Sequence, residues 1–215
     1  MRLTDAEFIP SPNYNKVRKG TIFLIVHGTG SSFNSALSWL TNPASKVSAH
    51  GLISKTGRLV QLVELENKAW HAGHSKWGSY KDLNTISLGF ELENLDNKTD
   101  PYSEAQYVTL ARVVKECMQI YPEITVDNIL GHSQVSTSGK PDPGPMFEWT
   151  HFRDLVYTIN HKKPWETEME NSWKWARDVG LIKGEPTDTI TKYEEATLLA
   201  RLYNLIKTKH DEGSL

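Results

Sequence analysis

The run Ile22-Phe23-Leu24-Ile25-Val26 constrains this chain more than any other feature. Five consecutive apolar residues, most of them β-branched or aromatic, are too few for a buried helix and enough for a strand. No polar residue interrupts the run, so both of its faces must be covered. That is the situation of an inner strand in a sheet with helices on either side. The run stops at His27-Gly28, which puts an imidazole at the end of the most buried segment.

Other segments fit around this strand. Ser32 to Leu40 reads as a short helix with Ser31 or Ser32 as its cap. Val47 to Ser54 and Arg58 to Val63 flank Lys55-Thr56-Gly57 and read as a hairpin. Ile86 to Glu93 alternates apolar and small or charged residues, as a strand does. Ser103 to Tyr121 has helical apolar spacing, a serine cap, Glu104 in the first turn and Pro122 after its end. Ile129-Leu130 is a short strand running into Gly131-His132, a Ser/Gly/Pro-rich loop covers Ser133 to Pro145, and Phe147 to Ile159 returns to helix. Strands and helices interleave, so the expected class is α/β, a mixed central sheet flanked by helices. Residues 1–160 are expected to form one domain. Residues 165–215, beyond the linker-like His161-Lys162-Lys163-Pro164, are expected to form a small helical module.

Composition excludes several function classes. A net charge of −2 with scattered Lys and Arg leaves no footprint for nucleic acid and no polybasic membrane patch. No apolar run approaches the roughly 20 residues of a membrane span, so no membrane insertion is expected. The polar N-terminus lacks a signal-peptide pattern, and the chain is expected to be made in the cytoplasm. The single cysteine, Cys117, lies in the apolar stripe of the long helix and is expected to be a buried thiol.

The chemistry concentrates at strand ends. His27 and His132 each close an apolar run, and Asp142 sits in the loop between Pro141 and Pro143. Two neutral imidazoles and a carboxylate are a donor set for catalytic zinc, which takes three N or O ligands and keeps one position open. Any one histidine alone is more readily structural or a surface group than a ligand, and the same holds for His74, His151, His161 and His210. Glu91 shares a strand face with Glu93 and is either a proton carrier over a metal or part of a solvated edge. Lys140, two residues before Asp142, could place an ammonium near an oxyanion. Trp70-His71-Ala72-Gly73 could line a groove or pack on the domain edge.

Taken in order, SPNYN, FLIVHGT, VSAHGLISKTGRLVQLV, KAWHAG, SLGFELEN, YSEAQYVTL and ILGHSQVSTSGKPDPGP closely resemble the type-2 zinc-dependent N-acetylmuramoyl-L-alanine amidases over residues 11–158. That family includes phage endolysins, bacterial recycling amidases and peptidoglycan recognition proteins. The resemblance implies a peptidoglycan substrate cut between the muramic acid lactyl group and L-alanine. It also implies Zn2+ held by His27, His132 and Asp142, Glu91 as general base and Lys140 as the stabiliser of the transition state. Ala49 stands where some members carry a catalytic Tyr, which gives Glu91 more to do. His50, Trp70 and His71 are expected to bind substrate, with His50 alternatively supporting the site from behind. The tail, WKWARDVGLIKGEP followed by TITKYEEATLLARLY, is similar to one S-layer homology repeat with Lys192 in place of the usual Arg. That similarity implies a secondary cell-wall polymer as a partner and favours a phage or prophage lysin; the alternative is an amphipathic helical pair that only braces the amidase. The alternatives are a cytoplasmic recycling amidase for anhydro-muropeptides and a non-catalytic peptidoglycan binder.

Overall fold

A computed structural model describes residues 1–18 and 20–160. The expected helical module at 165–215, its S-layer-like repeat and its polymer partner lie outside the described residues. Among these, ten strands occur: β1 (Glu7–Phe8), β2 (Tyr14–Asn15), β3 (Phe23–Gly28), β4 (Gly51–Ile53) and β5 (Leu59–Gln61), then β6 (Lys68–Ala69), β7 (Lys76–Trp77), β8 (Tyr80–Lys81), β9 (Ser87–Leu92) and β10 (Ile129–Gly131). The α-helices are α1 (Phe33–Leu40), α2 (Glu104–Ile120), α3 (His132–Val135) and α4 (Trp149–Asn160).

Six strands make one mixed sheet in the order β1-β5-β4-β9-β3-β10. The apolar run is an inner strand, as its composition requires: β3 is buried at every position and pairs parallel with β9 and with β10. Strand β4 runs parallel to β9 and antiparallel to β5, closing the expected hairpin, and β1 lies parallel to β5 at the edge. The hairpin strands are shorter than their apolar runs. Ahead of β4 the Ser48 N–H turns to the Trp70 carbonyl, while His50 still bridges its neighbours, its N–H bonding the Gly89 carbonyl and its own carbonyl accepting from Leu62 N–H.

Alternation splits the side chains between two layers. Leu24, Val26, Leu88, Phe90 and Leu92 pack with Leu110, Val114 and Cys117 of α2 and with Phe152 and Val156 of α4. Phe23, Ile25 and Leu130 point the other way, into a cluster with Ala72, Leu83 and Val135. Helix α1 covers that second face further along, setting Phe33, Ala36 and Leu40 against Leu52 and Val60. Each fully buried large aliphatic side chain contributes about 1.5–3 kcal/mol over its exposed state, so both layers are needed to hold β3 and β9 between them. Helix α2 begins with a capping box: Ser103 Oγ accepts from Gln106 N–H, and Gln106 Oε1 accepts from Ser103 N–H.

The expected irregular loop after His132 instead begins with the single turn α3. Gln134 Oε1 accepts from Gly131 N–H at 2.8 Å and Ser136 N–H reaches the His132 carbonyl at 2.9 Å, so local bonds stabilise a turn where composition suggested none. No helix among the described residues is long and apolar enough to cross a membrane.

Candidate metal centre

The site grows from the carboxyl ends of β3, β9 and β10, where open α/β sheets gather their ligands. Gly131 registers with Val26, so the next residues, His132 and His27, emerge together from neighbouring parallel strands. On the other side of β3, His27 registers directly with Glu91. Asp142 arrives from the loop. Its carbonyl accepts from Ser133 N–H at 2.7 Å, and Tyr102 Oη donates to the Pro143 carbonyl at 2.8 Å. Asn97 closes the arrangement, donating from Nδ2 to the Gly28 carbonyl at 3.0 Å while its backbone fills the space beside Gly144. A Cβ at Gly144 would stand 2.0 Å from the Asn97 carbonyl oxygen, and its φ of +81° also calls for glycine.

Asp142 Oδ2 lies 3.1 Å from His27 Nδ1 and 3.0 Å from His132 Nδ1. One donor atom from each of the three residues falls within 4.8 Å of the others, and all three residues are buried. Glu91 Oε1 is 4.0 Å from His27 Nδ1, and Glu91 Oε2 is buried without a hydrogen-bond partner. These groups border a groove of about 530 Å³ that also takes in Trp39, Trp70, His71 and Lys140.

Electrostatics sort the groups into roles. Burial lowers the pKa of His27, against the opposing pull of Asp142, and so favours the neutral ring. Burial alone would raise Asp142, but the hydrogen bonds and charge of His132 and His27 outweigh it and hold the carboxyl well below its usual range. Glu91 goes the other way: burial first, then the charge of Asp142, push it up to about 8. A neutral imidazole and an ionised carboxylate are the forms that bind metal. A buried carboxylate oxygen with no partner next to them marks where a polar or cationic group is missing a contact. The residues therefore fit a zinc ion with three protein ligands.

The remaining expected residues divide. Lys140 is exposed and lines the groove. Trp70 lines it too, with Nε1 donating to Asn15 Oδ1 at 2.8 Å. His71 is buried and turned toward His27, with 3.0 Å between His71 Nδ1 and His27 Nε2. His50 does not reach the groove. Its Nδ1 accepts from Gly89 N–H at 3.0 Å and its Nε2 donates to the Asn67 carbonyl at 3.0 Å, behind the site. Glu93, on the same face as Glu91 by alternation, is neither solvated nor part of the site. It accepts from Phe33 N–H at the start of α1 and from Lys55 N–H. His151 pairs with Glu104 on the surface. Sequence reasoning missed Tyr102, Asn97, Asn84 and Ser87, all of which hold site residues in place. The small-residue pattern Ser87-x-Gly89-x-Glu91 on one strand face was the available signal for part of this.

Residues 18–145 match the Amidase_2 family, described as N-acetylmuramoyl-L-alanine amidase. The chain belongs to this family. The 1,6-anhydro-N-acetylmuramyl-L-alanine amidase AmpD of Citrobacter freundii is 35% identical over 181 residues, covering 75% of this chain and 95% of the relative. AmpD of Salmonella typhimurium strain SL1344 is 43% identical over 118 residues, covering 55% of this chain and 62% of the relative's length. Among solved structures, the Escherichia coli N-acetylmuramyl-L-alanine amidase AmiD, in complex with anhydro-N-acetylmuramic acid-L-Ala-D-gamma-Glu-L-Lys, superposes with a TM-score of 0.57 at 27% identity, covering 93% of this chain and 74% of that one. The mixed sheet with flanking helices is thus the fold of this amidase family.

Proposed function

We propose that this chain hydrolyses the amide bond between the muramic acid lactyl group and L-alanine in soluble anhydro-muropeptides. The observation that carries the reading is Glu91, registered beside His27 and 4.0 Å from it, with a partnerless buried oxygen next to a three-ligand site. His27, His132 and Asp142 would hold zinc, which supplies Lewis acidity toward a carbonyl and acidifies water. Glu91 accepts the proton of the attacking water and returns it to the alanine nitrogen as the C–N bond breaks, giving a lactyl carboxylate and a free amine. The Lys140 ammonium, on the groove wall, offsets the charge of the tetrahedral oxyanion. Ala49 is buried and bears no group for proton transfer, so within this reading that task falls to Glu91.

Relatives named for 1,6-anhydro substrates support the recycling role over the lysin role that the tail favours. The substrate bound in the AmiD complex, an anhydro-muramyl peptide, points the same way. The test compares turnover of a soluble anhydro-muramyl tripeptide with release of peptide from intact sacculi. We expect rapid cleavage of the soluble compound and little from sacculi. Faster release from sacculi would restore the lysin reading. A non-catalytic binder would retain both substrates and cleave neither.

A further inference from the structure

His71 lies between the metal centre and the body of the sheet. Its Nδ1 is 3.0 Å from His27 Nε2, its Nε2 is 3.2 Å from Ser87 Oγ, and Ser87 Oγ is 2.6 Å from the Leu83 carbonyl oxygen. Proton directions along this row follow from its far end. A carbonyl can only accept, so the shortest contact places the Ser87 hydroxyl proton on the Leu83 side. Ser87 Oγ is then left to accept from His71. The His71 ring is buried, and among the described residues no carboxylate bonds to it, so it carries a single ring proton. With that proton on Nε2, its Nδ1 is an acceptor and His27 Nε2 must donate. The proton-free nitrogen of His27 is therefore Nδ1, the atom that faces Asp142 and lies among the three ligands.

We propose that His71, backed by Ser87 and the Leu83 carbonyl, is a positioning residue that locks His27 in the tautomer offering Nδ1 to the metal, rather than a substrate-binding residue. The surroundings are built for it. Asn84 Oδ1 accepts from both His71 N–H and Ala72 N–H, at 3.1 and 2.7 Å, which fixes the backbone. Gly89 leaves the space the ring fills, since a Cβ there would stand 2.3 Å from His71 Cγ. Partners of this kind typically change metal affinity by about 10- to 100-fold when removed.

The inference rests on the metal-centre reading, and the experiment separates the two. Zinc affinity is measured by chelator competition for the wild type, His71→Ala, His71→Asn and Ser87→Ala, with circular dichroism on each. The wild type should bind one zinc, and His71→Ala should bind it about 10- to 100-fold more weakly. His71→Asn, whose amide oxygen can accept near the Nδ1 position, should recover most of the loss, and Ser87→Ala should fall between. A wild type that binds no zinc refutes the metal centre itself. A folded His71→Ala with wild-type zinc affinity overturns the positioning role alone. Should His71→Ala fail to fold, long-range proton–nitrogen spectra of the zinc-loaded wild type decide. Protons on Nε2 of both His27 and His71 are expected, and a proton on Nδ1 of His71 overturns the inference.

Discussion

Glu91 shows how far a single side chain departs from its type. The same carboxyl in water would be ionised at neutral pH; here burial and the charge of Asp142 push it up to about 8. A positive charge held by His27, His132 and Asp142 favours the ionised form, which is the one able to accept a proton. Glu91→Gln keeps the shape and removes the base. Turnover on the soluble substrate should fall by about 10²- to 10⁴-fold with zinc stoichiometry unchanged; near-normal turnover would remove Glu91 from the mechanism. His50 supplies a second prediction, on stability. Burial lowers its pKa from 6.5 to about 3, so between those values the unfolded chain binds a proton that the folded ring refuses. The unfolded state therefore holds more protons, and stability rises with pH across that window. This contribution is complete above about pH 6.5 and is lost as pH falls toward 3, at up to about 1.4 kcal/mol per pH unit. Urea unfolding of metal-free His50→Gln should show a pH slope smaller than the wild type by about one proton between pH 6 and 4. Identical slopes would show that His50 takes up its proton in both states.

At the scale of elements, β9 carries most of the design. One face holds Leu88, Phe90 and Leu92 against α2, and the other presents Ser87, Gly89 and Glu91 to the site. Glu93 follows one step beyond the last strand residue and changes role completely. Its two oxygens take the Phe33 N–H at 3.0 Å and the Lys55 N–H at 2.8 Å, tying α1 and the β4–β5 turn to the end of β9. The first turn of a helix also favours an anion. Glu93→Ala strands two backbone donors and should cost about 1–3 kcal/mol in urea unfolding, with Glu93→Gln intermediate. A variant as stable as the wild type would mean that water replaces both bonds. Here the limits of sequence reading have a physical cause. The end of an uninterrupted apolar run marks His27 and His132 because a strand must leave the core somewhere. Alternation puts Glu91 and Glu93 on one face but says nothing of what stands opposite either. The placement of His71 depends on Gly89, eighteen positions later, and no local pattern joins them. Two-residue strands such as β1 and β2 are too short to carry a period at all.

Across the molecule, the sheet converts distant sequence positions into one site. His27 and Glu91 come from neighbouring strands in register, and His132 follows directly on the end of the third. Asp142 reaches them through a loop pinned by Tyr102 and Asn97. The mixed sheet and its helices were legible as alternating apolar patterns, whereas the pins on the loop were not, because each is a single polar contact between segments remote in sequence. The central claim is that this assembly is a metal-dependent amidase. Its most direct test is mass-spectrometric assay of a soluble anhydro-muramyl tripeptide with zinc-loaded protein, chelator-stripped protein and stripped protein given back one equivalent of zinc. The account predicts a released peptide with a free L-alanine amine, loss of that product on stripping, and its return with zinc. Undiminished cleavage by the stripped protein, or cleavage at any other bond, would contradict it.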